Sequence, residues 1–98
     1  MTETELRRAE AALRRFPAEH RLIDELMHSG GDFCDMCEEL AEAEAALKAA
    51  EGLPTSIRTE RVAEWTAVIG RLVGEIARAL KEAYARRNGP VGPLRRNS

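Results

Sequence analysis

The chain has 98 residues, a third of them charged, with seven glycines, four prolines and a formal net charge of −2. That length holds one domain, and nearly balanced acids and bases leave no global field that would gather nucleic acid or an anionic membrane. Alanine, leucine, glutamate and arginine dominate while aromatic and β-branched runs are scarce, so the expectation is an all-α protein without a sheet.

The first residues, MTETELRRAEAALRR, are charged from the third position and lack the apolar centre of a secretory signal, and no apolar run approaches membrane-spanning length. A cytoplasmic protein is expected, with neither nucleic acid nor membrane as partner. In that compartment the two cysteines are expected as reduced thiols rather than as a structural disulfide.

Thr2 followed by Glu5 has the spacing of a capping box, and Leu6, Ala9, Leu13 and Phe16 then recur at helical spacing until Pro17 interrupts. Pro17 suits the first turn of a new helix, so a second short segment is expected from Pro17 to about His28, with Leu22, Ile23, Leu26 and Met27 inward. A single helix kinked at Pro17 is the alternative. Gly30-Gly31 ends this segment.

Asp32 then reads as an N-cap, and Phe33, Met36, Cys37, Leu40, Glu44 and Leu47 mark one face of a helix running to about Glu51. The stretch Gly52-Leu53-Pro54-Thr55-Ser56 is the clearest break in the chain. After it Val62, Trp65, Ile69, Leu72, Val73, Ile76, Leu80 and Tyr84 form a wide apolar stripe that persists to about Arg87. Residues 1–88 are thus expected as one helical domain, and the glycine- and proline-rich 89–98 as a flexible C-terminal tail.

A short loop between two such helices makes an antiparallel hairpin, Asp32 to Glu51 against about Ser56 to Arg87. Two helices cannot cover stripes this wide. The N-terminal helices, a second copy of the chain, or both must complete a bundle.

Phe33, Met36, Cys37, Leu40, Ala43, Ala46 and Leu47 fall in the pattern F-x-x-M-C-x-x-L-x-x-A-x-x-A-L. Arg15-Phe16-Pro17 precede it, and Glu64, Trp65, Val68, Leu72, Glu75 and Ile76 follow it. This resembles a set of small uncharacterised bacterial α-helical proteins with a motif like F-x-x-L-C-x-x-Y-x-x-A-x-x-A-L, followed by E-Y-x-x-L and E-I. The resemblance runs from Phe16 to Leu80, implies a helical hairpin protein and carries no activity. Cys37 matches the cysteine of that pattern, Cys34 stands where it has arginine, and Leu40 and Trp65 stand where it has tyrosines.

The chemistry-bearing residues cluster in His28-Ser29-Gly30-Gly31-Asp32-Phe33-Cys34-Asp35-Met36-Cys37. Cys34 and Cys37 have the C-x-x-C spacing of a zinc or iron site, with His28 and His20 as the remaining candidate ligands. The order of histidines before cysteines matches no familiar finger. The same pair at a helix start would serve as a redox dithiol, since the backbone dipole there lowers a thiol pKa, but Asp32, Asp35, Glu38 and Glu39 oppose the thiolate. The third reading makes Cys37 a small hydrophobe on the apolar stripe between Phe33 and Leu40, with Cys34 at its border.

Glu25, His28 and Glu44 would face inward in a di-iron site only if a symmetric dimer doubled them. The paired arginines Arg7-Arg8, Arg14-Arg15, Arg86-Arg87 and Arg95-Arg96 are interleaved with glutamates or lack stacking aromatics, which fits ion pairing along helix surfaces better than phosphate binding. No nucleophile triad or phosphate loop is present, so an enzyme is not expected.

The expected function is therefore a small non-catalytic interaction or scaffold protein acting through apolar helix faces as a homo-oligomer, probable cofactors none, with an unnamed protein partner. Phe33, Leu40, Leu47, Val62, Trp65, Ile69, Leu72 and Ile76 form its seam. A metal-binding or redox-active dithiol protein centred on Cys34 and Cys37 is the alternative.

Overall fold

The computed structural model describes residues 2–88, so the tail expected at 89–98 lies outside the described residues. Every regular element among the described residues is helical: α1 (Glu3–Arg15), a 3₁₀ turn (Pro17–Glu19), α2 (His20–Ser29), α3 (Gly31–Glu51) and α4 (Thr55–Asn88).

The capping box opens α1. The Glu5 amide donates to the Thr2 hydroxyl at 3.2 Å, and the Thr2 amide donates to the Glu5 carboxylate at 3.0 Å, which satisfies two groups that a helix start leaves without partners. Phe16, held at φ −127° by the proline after it, stops α1. Pro17 has no amide hydrogen to give, and the chain passes through the 3₁₀ turn before α2 begins at His20, three residues later than the spacing suggests. The segment is therefore two helices and not one kinked helix.

Between α2 and α3 stands a single extended residue, Gly30, at φ −146° and ψ 133°. Its amide donates to the Leu26 carbonyl at 3.1 Å and its carbonyl accepts from the Cys34 amide at 3.4 Å, so one residue closes α2 and opens α3. This corrects the expectation for Asp32. The cap is Gly30, and Asp32 lies inside the first turn, where its charge still suits the positive end of the helix.

At the other end of α3, Gly52 and Leu53 donate back to Ala49 and Ala50, and the Pro54 carbonyl receives Ile57 and Arg58. The chain turns sharply there, and α4 packs back along α3 in the most extensive helix pairing of the fold. At 34 residues α4 is about 51 Å long, well beyond the 21 residues of α3.

α1 runs parallel to α3, because their ion pairs advance together: Arg8 with Glu38, then Arg14 and Arg15 with Glu44. The side of α1 that is buried is its alanine side, Ala9, Ala11 and Ala12, and small side chains allow the close approach. Leu6, expected inward, is 44 % exposed, and Leu13 and Phe16 are only partly buried.

α2 touches all three other helices and contributes Leu22, Ile23 and Met27 to a core shared with Phe33, Cys37 and Leu40 of α3 and Leu72, Ile76 and Leu80 of α4. Tyr84 is 60 % exposed although the stripe was expected to continue through it. The buried residue at that turn is Ala83, and Tyr84 stands about 100° further round the helix.

The clustered core ends at Ala43 on α3 and Ile69 on α4. Nearer the α3–α4 turn only Ala50 is buried, and Leu53, Val62 and Trp65 are partly covered while Ile57 is 42 % exposed. Stability should follow this division. Leu72→Ala, at a site 1 % exposed, should cost about 2–5 kcal/mol, and Ile57→Ala less than about 1 kcal/mol, in chemical denaturation.

Candidate functional site

The two cysteines lie in the first turns of α3, held against α2 by the one-residue link. Cys37 has no exposed surface and Cys34 has 7 %. Cys34 is thus inside the core and not at its border as expected. Its thiol has a task there: Sγ donates to the Met27 carbonyl at 3.3 Å. That carbonyl belongs to the last turn of α2, where no amide of the same helix can reach it. The cysteine of α3 therefore finishes the end of α2.

Burial pushes the Cys37 thiol up to about 12, and Cys34 nearby adds to the shift while Arg8 opposes it. At neutral pH the group is a protonated thiol, which is a poor nucleophile and a poor metal ligand until it loses that proton. It fills space between Phe33 and Leu40.

The histidines face other partners. His28 Nδ1 donates to the Asp24 carbonyl at 2.8 Å and lies 3.3 Å from the Asp24 carboxylate, while Nε2 is 3.7 Å from Glu5. His20 begins α2 on an exposed surface. Among the described residues, no group of three or more histidine, cysteine or acidic side chains is placed to hold a metal ion.

Glu25 and Glu44, candidates for an inward carboxylate set, point apart. Glu25 is exposed and meets Arg87 at 3.4 Å, which ties α2 to the end of α4. Glu44 lies on the α1 side of α3, taking Arg14 at 2.9 Å and Arg15 at 2.5 Å. Burial pushes its carboxyl up, but the hydrogen bonds from Arg14 and Arg15 together with their charges outweigh it and hold the group below the ordinary 4.5. A glutamate on an apolar stripe thus becomes a clamp between α1 and α3.

Of the eight seam residues, Phe33, Leu40, Ile69, Leu72 and Ile76 are enclosed within the chain, while Leu47, Val62 and Trp65 retain exposed surface. Beside Trp65 a shallow apolar groove of about 260 Å³ is lined by Ala46, Ala49, Ala50, Leu53 and Arg61. A second groove, of about 480 Å³, lies at the other end between Phe16 and Glu19 on one side and Ala77, Leu80, Lys81 and Tyr84 of α4 on the other. Neither was apparent from helical periodicity, because each joins residues distant in sequence.

The outer row of α4, Ala63, Ala67, Gly70, Gly74 and Ala77, was also missed; its signal was present as a small residue at alternating steps of four and three. No helix among the described residues is long and apolar enough to cross a membrane. The chain matches no family model, no curated protein and no solved structure.

Two measurements check this account. Cys37→Ser buries a hydroxyl and should destabilise by about 1–3 kcal/mol, whereas a serine at position 34 can still donate to Met27 and should cost less. Equal large losses, with stoichiometric metal and sensitivity to chelator, would instead mark a metal site. For Glu44, a folded-state pKa below the unfolded value means stability that is present above about 4.5 and lost as pH falls through the lower folded value. Glu44→Gln should cost about 1 kcal/mol at neutral pH and flatten the acid limb of the stability curve.

Proposed function

We propose that this protein is a small non-catalytic helical interaction protein of the cytoplasm that associates with itself and acts through the apolar helix faces its own fold leaves open. The antiparallel pair of α3 and α4 is the framework, and a second copy completes the bundle that α1 and α2 complete only at one end.

One observation carries the reading. The core stops at Ala43 and Ile69, yet the helix pair continues to its turn with Leu47, Leu53, Ile57, Val62 and Trp65 incompletely covered. An elongated pair with apolar surface at one end gains by contact with another protein. The closed cysteine region supports a packing role for Cys34 and Cys37, since their chemistry is spent on the join between α2 and α3.

Sedimentation of the full chain over a range of concentrations tests the proposal. A mass rising toward that of a dimer in the tens-of-micromolar range is expected. A chain that remains monomeric throughout would remove self-association from the reading.

A further inference from the structure

We infer that the outer face of α4 is the self-association surface, and that two copies pair there with their α4 helices antiparallel about a two-fold axis near Gly70. This rests on the proposed self-association and assigns it a place and a direction.

The face consists of Ala63, Ala67, Gly70, Gly74 and Ala77, which alternate by four and three residues and so form one straight row along the helix. All five are exposed, on the side of α4 turned away from the buried Ile69, Leu72 and Ile76. A methyl group built on Gly70 or Gly74 would meet nothing within 4 Å. Glycine is a poor helix former, and nothing inside the chain requires it at either place. A second backbone coming close to this surface does, because only side chains this small let two helix axes approach to the short end of the usual range.

The row has a polarity of charge. Glu60 and Glu64 lie along its N-terminal half, and Arg78 and Lys81 lie along its C-terminal half. Glu60, Arg78 and Lys81 enter no ion pair among the described residues, and Glu64 is held only by its neighbour Arg61 at 3.1 Å. An antiparallel pairing centred at about Gly70 sets Ala67 against the partner's Gly74 and Ala63 against the partner's Ala77. The same register sets Glu60 against the partner's Lys81 and Glu64 near the partner's Arg78, each pair occurring twice by symmetry. A parallel pairing would instead set acid against acid and base against base.

The C-terminal end of the face also runs into the groove between Phe16 and Tyr84, whose volume of about 480 Å³ leaves Leu80 and Ala77 reachable. The start of the partner's α4 lies over it in the antiparallel register. The face is therefore long, continuous, apolar along its centre and complementary to itself in one direction only.

Sedimentation equilibrium of the full chain, with circular dichroism as a check on folding, tests this. Gly74→Leu enters open space in the monomer, so helix content and melting should hold, while self-association weakens by about tenfold or more. Lys81→Glu and Glu60→Lys should each weaken association, and the double variant carrying both should recover it, since each contact is re-formed with its signs exchanged. Equal association of wild type and Gly74→Leu would overturn the assignment and leave self-association through another face. Failure of the charge exchange to recover association would overturn the antiparallel register. A wild type that never associates would overturn both this inference and the reading beneath it, leaving the face to a different protein.

Discussion

Gly30 is a link one residue long, and much of the architecture depends on how little freedom it allows. With its amide bonded back to Leu26 and its carbonyl engaged by Cys34, the end of α2 and the start of α3 are locked to each other. Met27 and Cys34 are thereby brought together, and the thiol supplies the donor that the end of α2 lacks. Because α2 is anchored at the start of α3, it and α1 must cover that half of the α3–α4 pair. The half near the α3–α4 turn is left two helices thick. An open end and a closed end follow from one short connection.

The contacts that seat α1 are of two kinds with different tolerances. Its alanines permit close approach but bury little area each, so the ion pairs to Glu38 and Glu44 set its direction more than they add to stability. Two arginines on one partly buried carboxylate make an arrangement that other offsets between α1 and α3 would lose. Direction here comes from charge, and depth comes from side-chain size.

Much of the fold was legible in the residues. Thr2 and Glu5 announced their capping box, Pro17 its interruption, Gly52 to Pro54 the main turn, and the Ile69, Leu72 and Ile76 stripe its burial, because each is a local rule or a simple periodicity. What was not legible depended on partners far along the chain. Asp32 has the chemistry of a cap, but tertiary packing gave that position to Gly30. Tyr84 continued the apolar spacing past the place where α2 and α3 could cover it. Cys34 looked marginal by helical angle until α2 closed over it. Glu44 on an apolar stripe was an anomaly that only two arginines thirty residues earlier could explain. The candidate site followed the same division: the C-x-x-C spacing was visible, whereas its burial and its bond to Met27 were not.

The short connections also bear on how the chain reaches this state. Helices adjacent in sequence are adjacent in space, and the pairing of α3 with α4 closes through only Gly52, Leu53 and Pro54. Little loop entropy opposes that step, and contacts that are mostly local favour rapid folding. The parallel alignment of α1 with α3 is different, since it requires α2 to have returned the chain first, and the Arg87–Glu25 contact spans 62 residues. Assembly outward from the α3–α4 turn, with the N-terminal helices docking last, is the order that the connectivity favours. The surface they leave open is thus the one that forms first.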